Sequence, residues 1–193
     1  MDGIASYDSR NSELDFGKLY AIQDSIFEIV FFSDASPRFP FAVRTIRSAL
    51  QRSHRVETMV DTKNFVRFLA DDLLQMDFVN DTGYRLGEPA VTQRNYLIDT
   101  IDNILANKLT AVVGRDNPKD VFDILLIYNY YSFSWSEILE AAHNKAGFSN
   151  EDLVVRLKSF PREMLRRIKC IDCGFLEHFE RDISDIAQAI VNE

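Results

Sequence analysis

The fold is decided by the stretch from Arg55 to Val79, which reads RVETMVDTKNFVRFLADDLLQMDFV. Its apolar residues alternate with polar ones in short runs, the pattern of half-buried β-strands. The residues between the runs are short and turn-like, which favours hairpins. We therefore predict a three-stranded, mostly antiparallel sheet, with strands near Arg55–Val60, Phe65–Ala70 and Leu74–Val79.

The apolar period changes from two to 3.6 after Ile98, which indicates helices in the rest of the chain. Ser134-x-x-Glu137 is predicted to be a capping box, and Ser149-x-x-Asp152 is also typical of a helix start. Upstream, helices are predicted from about Asp15 to Val30 and from Phe39 to Ser53. The predicted class is α+β, a small mostly antiparallel sheet with helices followed by a helical C-terminal half. The expected division is a flexible tail at 1–14, an α/β part at 15–97 and a helical part at 98–193.

Lys108 is a cation at a position where the helical pattern calls for an apolar side chain. The segment from Ile98 to Asp123 reads IDTIDNILANKLTAVVGRDNPKDVFD, and Lys108 lies four residues after Ile104 and four before Val112, both apolar. A cation on that stripe must reach a cleft or meet an anion. Alternatively, its aliphatic stem could lie along the apolar face while the ammonium stays in water.

Two acids in the next predicted helix are unusual in the same way. Asp123 interrupts a run that is apolar nearly all round, and Asp120 lies one turn before it on the same face. Asp120 has a simple alternative as an acid in the first turn behind Asn117 as N-cap and Pro118 as first helical residue. Buried carboxylates near a lysine must pair or hold a ligand, so this two-helix segment is the first candidate site.

Asp77 is a third unusual acid. In Leu74–Val79 the alternation places it on the opposite strand face from Leu74, Met76 and Phe78, near the strand end. Sheet proteins often display catalytic groups there. A solvent-facing acid on a half-exposed strand is the plain alternative.

The order of these segments resembles the AbiEii/AbiGii toxin family of nucleotidyltransferase-like proteins. The resemblance runs from about Leu19 to Lys145 and is most specific between Lys108 and Asp123. The matching segments are Leu19–Asp24, Gln75–Asp81, Asn103–Ala111, Arg115 and Lys119–Asp123.

The resemblance implies a minimal nucleotidyltransferase fold of the polymerase-beta type and a toxin role in bacterial toxin–antitoxin or abortive-infection systems. Such enzymes move a nucleoside monophosphate from a triphosphate to an acceptor, in some cases tRNA, with Mg²⁺. On this resemblance Asp77 is a metal ligand, and Asp77, Lys108 and Asp120 are catalytic. Nucleotide binding falls to Lys108, Arg115, Lys119 and Asp123, and a cognate antitoxin protein is a further expected partner.

One departure from the family is decisive. Family members carry a Gly-Gly or Gly-Ser turn and then an Asp-x-Asp strand, because backbone amides hold phosphate while paired carboxylates hold Mg²⁺. No glycine occurs between Gly17 and Gly83, and the segment from Phe31 to Pro37 looks like the one that follows the paired acids. Asp77 alone cannot hold the metal ions of phosphoryl transfer.

Three hypotheses follow. The chain is an active nucleotidyltransferase toxin, a catalytically inactive remnant that binds nucleotide or protein, or a structural helical protein whose charges form an internal salt-bridge network. For the remnant we predict weak triphosphate binding, weakened further by Lys108→Ala, and no transfer to tRNA.

Composition sets wider bounds. The chain has 193 residues, 46% of them hydrophobic, and a net charge of −8, which argues against broad nucleic-acid affinity. The segment from Ala35 to Val56 contains no acid and gathers arginines, so it could guide an RNA acceptor or meet an acidic partner. No segment suggests a membrane span or signal peptide, and a cytoplasmic location is expected. Cys170 and Cys173 are expected to be reduced thiols, with a zinc site as the less favoured alternative.

Overall fold

The computed structural model describes residues 21–22, 27–34, 36–81, 84–91, 97–170 and 173–193. The chain divides into a sheet unit, Tyr20–Tyr84, and a helical unit that contains Arg85–Glu193. This is the predicted α+β class, with the sheet first and a helical C-terminal half.

The described elements of the sheet unit are β1 (Ala21–Ile22), β2 (Phe27–Asp34), α1 (Phe39–Leu50), β3 (Val56–Asp61), β4 (Phe65–Ala70) and β5 (Leu74–Asp81). Four of the strands form a sheet in the order β2-β5-β4-β3. The predicted strands are present as β3, β4 and β5, which pair antiparallel through two hairpins. Asp71 and Asp72 adopt positive φ angles of 51° and 60° in the β4–β5 turn, a conformation that aspartate tolerates better than most residues.

Strand β2 corrects the sequence prediction. A helix was expected from about Asp15 to Val30, but β1 and β2 are strands, and the rest of that segment lies outside the described residues. β2 pairs parallel with β5, from Phe27 opposite Leu74 to Asp34 opposite Asp81. A short apolar run suits a helix or a buried strand equally well, and only a partner from far along the chain decides between them.

Helix α1 covers one face of this sheet. Phe39 and Val43 pack with Val66, Phe68 and Met76 in a buried apolar cluster. Because side chains alternate along a strand, Asp77 and its neighbour Arg67 on β4 point to the face opposite α1.

The described elements of the helical unit are β6 (Ala90–Val91), β7 (Leu97–Ile98), α2 (Ile101–Gly114), α3 (Pro118–Tyr130), α4 (Trp135–Lys145), α5 (Asn150–Ser159), a 3-10 helix (Arg162–Arg167), β8 (Ile168–Lys169), a second 3-10 helix (Gly174–His178) and α6 (Phe179–Asn192). Helix α2 packs against α3, α4 and α5. Leu105 and Leu109 of α2 and Ile124 of α3 are fully buried in the core of this unit. The two short strands β6 and β7 pair antiparallel before α2.

The helices α3, α4 and α5 begin where the sequence predicted, but the capping box lies at the start of α5 instead of α4. The Asn117 side chain accepts a hydrogen bond from the Lys119 amide at 3.1 Å, as expected of an N-cap before Pro118. The capping box lies at Ser149 and Asp152. The box predicted at Ser134 is wrong, since the Ser134 side chain makes no capping hydrogen bond.

Two further findings concern the cysteines and the membrane. Cys170 and Cys173, whose α-carbons are 5.9 Å apart, are joined in a disulfide instead of being the expected free thiols. In the part of the chain that is described, none of the helices combines the length and apolarity needed to cross a bilayer.

Candidate functional site

Asp77 lies directly opposite Arg67 in the antiparallel β4–β5 register. The Arg67 guanidinium donates through Nε to Oδ1 at 2.7 Å and through Nη2 to Oδ2 at 2.6 Å. Asp77 is only 5% exposed, so the plain expectation of a solvent-facing acid is wrong. The two residues form a bidentate pair on the sheet face away from α1.

This pair leaves Asp77 poorly suited to the metal role that the family resemblance implies. The hydrogen bond that Arg67 donates to Asp77 is the main cause of a raised Arg67 pKa, so the guanidinium stays charged and bound. Both carboxylate oxygens are already occupied by N–H donors, and Mg²⁺ would have to displace them. Within the described ranges, no three His, Cys, Asp or Glu side chains are grouped closely enough to hold a metal ion. The described residues therefore do not fit Mg²⁺.

Asp34 is another acid of the sheet unit, at the end of β2, and the backbone register shows how far it lies from Asp77. Residue Val30 is the one opposite Asp77, whereas Asp34 is opposite Asp81. A strand rises about 3.3 Å per residue, so Asp34 lies roughly 13 Å farther along β2 than the level of Asp77. Asp34 and Asp77 are thus too far apart along the sheet to serve as adjacent metal ligands.

The second group of predicted residues lies in the helical unit, where α2 and α3 are joined by a short connection. The Lys108 ammonium is 2.5 Å from Oδ2 of Asp123 and 3.2 Å from Oδ1 of Asp120. The Lys108 side chain is 24% exposed, and the Asp120 side chain is completely buried. The cation on the apolar stripe of α2 therefore contacts the two acids on the apolar face of α3. Of the two alternatives for Lys108, this is the one in which its ammonium meets an anion.

Arg115, which follows α2, closes the other side of Asp120. Its guanidinium donates through Nε to Oδ2 at 2.7 Å and through Nη2 to Oδ1 at 3.0 Å. Unlike Lys108, the Arg115 side chain is 59% exposed. Asp120 consequently accepts hydrogen bonds from two cations, one half-enclosed and one open to solvent.

Lys119 adds a third cation beside the same two acids. We call Lys108, Arg115, Lys119, Asp120 and Asp123 the α2–α3 ion cluster. Burial alone would lower the pKa of Lys108, but the negative charges of Asp123 and Asp120 and the hydrogen bonds that Lys108 donates to them outweigh burial and raise its pKa. For Lys119 burial prevails over the attraction of the same acids, and its pKa is lowered.

Asp123 is not fully satisfied. Its Oδ2 contacts Lys108, but its Oδ1 is buried and has no hydrogen-bond partner among the described residues. A buried carboxylate oxygen without a donor carries a desolvation cost of about 1–3 kcal/mol. The α2–α3 ion cluster is therefore held together at one acid and left incomplete at the other.

The structure brings together five of the six predicted site residues within the helical unit, and Asp77 belongs to the sheet unit. The expectation that Asp77 and Lys108 share one cleft stays a prediction.

Sequence reasoning missed Arg67 and Asp182. Arg67 could have been found by counting back across the predicted hairpin, since residues paired in one register have a constant sum of numbers. Asp182 is fully buried and accepts hydrogen bonds from the neighbouring Arg181 and, at 2.8 Å, from Asn129. The bond from Asn129 joins α3 to α6 across 53 residues, so it left no local signal in the sequence.

Comparison with known proteins gives little. No family model matches the chain, and no curated protein matches it. Among solved structures, the crystal structure of JHP933 from Helicobacter pylori is similar, with a TM-score of 0.44 and 19% sequence identity over 90% of this chain and 78% of that chain.

Proposed function

We propose that this chain is a nucleotidyltransferase-like protein of the toxin type that binds a nucleoside triphosphate without transferring its nucleotide. The observation that supports this function best is the α2–α3 ion cluster, in which three cations gather around two acids. The cluster places three cations side by side, and the Arg115 side chain is 59% exposed, so a phosphate could reach its guanidinium.

A triphosphate would meet a group of cations that is already assembled. Asp120 fixes Lys108 and Arg115, so their positive charge is oriented before a ligand arrives. A ligand phosphate would have to share these donors with the carboxylates, which limits affinity. Weak binding is therefore expected, and it should weaken further at high salt because the exposed charges are screened.

Catalysis is not part of this proposal. Transfer of a nucleoside monophosphate needs metal ions that neutralise charge on the reacting oxygens, and the carboxylate of Asp77 is held by Arg67 on both oxygens. The wider setting carried by the family resemblance is a cytoplasmic toxin–antitoxin or abortive-infection protein. Its partners would be a nucleoside triphosphate, tRNA as ancestral acceptor and an acidic antitoxin protein.

Equilibrium binding of labelled ATP, GTP, CTP and UTP to the full chain tests whether it binds a nucleoside triphosphate. Lys119→Gln and Arg115→Gln should each weaken binding several-fold, because each removes one cation beside the site. Lys158→Gln is the matched control, since Lys158 is an exposed lysine on α5 outside the α2–α3 ion cluster. Lys108→Ala should weaken binding further, provided that circular dichroism shows a folded protein.

Incubation of the full chain with tRNA, Mg²⁺ and α-labelled triphosphates tests whether it transfers a nucleotide. We expect no label in the tRNA. Robust transfer that Asp77→Ala abolishes would overturn the inactive assignment in favour of the active enzyme. Absence of triphosphate binding by the folded chain would instead favour the third hypothesis, in which the α2–α3 ion cluster only stabilises the helical unit.

A further inference from the structure

A second candidate site lies within the sheet unit, on the face covered by α1. A cavity of about 410 Å³ opens between α1 and the β3–β4 turn. Its apolar lining includes Phe39 and Val43 of α1 and Phe68 of β4, which also belong to the buried cluster under the helix. Cavities of this size, apolar with a few polar groups, are the usual form of a small-molecule site.

The polar lining of this cavity is strongly positive. Arg44 and Arg47 of α1 and Lys63 of the β3–β4 turn face a single acid, Asp61. None of these three cations has an ion pair or a side-chain hydrogen bond within the described part of the protein. This distinguishes the cavity from the α2–α3 ion cluster, where each acid already has a cation.

Arg47 has a buried hydrogen-bond donor without an acceptor among the described residues. Its Nε–H is buried in the wall beside the cavity and has no acceptor among the described residues. A buried donor without an acceptor is costly, and native proteins satisfy most such groups. An anion seated in the cavity would satisfy that donor and balance the three cations together.

We infer that this cavity binds a phosphate monoester whose organic part is apolar or planar. Arginine side chains match the oxygens of a phosphate in pairs, and lysine adds a point charge. Three cations against one acid suit a dianionic phosphate better than a monoanionic carboxylate. The organic part would lie on Phe39, Val43 and Phe68.

This site is distinct from the one proposed above. Phe68 and Met76 face the α1 side of the sheet, whereas Arg67 and Asp77 face the other side, because side chains alternate along β4 and β5. The α2–α3 ion cluster belongs to the helical unit. The cavity and the α2–α3 ion cluster share no residue, so binding at one can be tested separately from binding at the other.

Calorimetric titration of the full chain with phenyl phosphate is the test. We expect saturable binding that Arg47→Met weakens about tenfold or more, because a charge-assisted hydrogen bond and a cation are lost together. Lys63→Met, at an exposed turn, should weaken binding several-fold and covers the case in which Arg47→Met does not fold. Arg52→Met is the matched control, because it removes the same charge from an exposed position outside the cavity and should leave binding unchanged.

Three comparison ligands separate the contributions. Inorganic phosphate should bind more weakly than phenyl phosphate, because it has no organic part to contact the apolar lining. Phenylacetate should also bind more weakly than phenyl phosphate, because it carries one negative charge instead of two. Benzyl alcohol, which is uncharged, should not bind detectably. No binding of phenyl phosphate, or equal binding to the Arg52→Met, Arg47→Met and Lys63→Met variants, would overturn the inference. Unchanged phenyl phosphate binding by Lys119→Gln should accompany a positive result and would show that the α2–α3 ion cluster is not the site.

Discussion

The Arg67–Asp77 pair and the α2–α3 ion cluster solve the problem of a buried acid in different ways. In the sheet, one carboxylate meets one guanidinium and both oxygens are bound. Between the helices, Lys108 is shared by Asp120 and Asp123, and Arg115 also binds Asp120. Oδ1 of Asp123 has no hydrogen-bond donor among the described residues. In the first arrangement both carboxylate oxygens are bound, which favours a structural role. In the second, one carboxylate oxygen has no donor among the described residues, and the Arg115 side chain is 59% exposed. Residue types alone do not distinguish them, because both appear in the sequence as an acid in an apolar setting.

The largest effect is expected for Lys108→Met. The substitution leaves two buried carboxylates without their shared cation, and breaking a buried pair in this way costs about 3–5 kcal/mol in the free energy of unfolding. Urea denaturation followed by circular dichroism measures it. Adding Asp123→Asn should recover part of the loss, since a neutral amide does not need the cation. A loss no greater than that of Lys158→Met would show that the acids do not depend on Lys108.

A smaller loss is expected for Arg67→Met, about 2–3 kcal/mol, because the Arg67 side chain is 34% exposed and water can partly replace it. The double variant Arg67→Met with Asp77→Leu should recover most of the stability, since apolar residues of similar volume often replace a buried pair without cost. If the double variant were as unstable as Arg67→Met, the unpaired carboxylate of Asp77 would not be the cause of the lost stability.

Arg115→Gln should cost about 1 kcal/mol or less. Its side chain is 59% exposed, and Asp120 keeps the hydrogen bond from Lys108. The same variant should weaken triphosphate binding, so one protein sample tests both roles. A loss as large as that of Lys108→Met would mean that Arg115, despite its exposure, holds Asp120 in place.

The smallest effect concerns pH. Burial lowers the pKa of Lys119 below its usual 10.5, so between the folded and the unfolded pKa the unfolded chain binds more protons at this residue. Stability should therefore rise as the pH increases through the folded pKa toward 10.5. The raised pKa of Lys108 acts the other way, and its contribution is lost only above 10.5.

Urea midpoints of the wild type and Lys119→Met, measured across the alkaline range below 10.5, separate the two lysines. The wild type should gain stability relative to Lys119→Met as the pH rises, and Lys158→Met should follow the wild type. Parallel curves for wild type and Lys119→Met would show that Lys119 keeps its ordinary pKa.

Much of the fold was predictable because it depends on local patterns. Alternation between Arg55 and Val79 gave β3, β4 and β5, and Asn117–Pro118 marked the start of α3. The prediction was wrong at Phe27–Asp34, which pairs with Leu74–Asp81, 47 residues farther along the chain. At the site, the contact of Lys108 with Asp120 and Asp123 follows from two adjacent amphipathic helices, which the sequence shows. The bond between Asp77 and Arg67 was missed because it depends on hairpin register.

The sequence by itself determined that Lys108, Asp120 and Asp123 had to meet partners, since a charge on an apolar face is unstable without one. It also determined that no glycine lies between Gly17 and Gly83, so that stretch contains no glycine turn to bind phosphate. Only the tertiary structure decided which charges are bound and which are available. Arg67 binds both oxygens of Asp77. Among the described residues, Oδ1 of Asp123 has no donor, and Arg44 and Arg47 of α1 line a cavity without forming an ion pair. The reason is that ion pairing depends on distances of a few ångströms between side chains, which strand register and helix packing set.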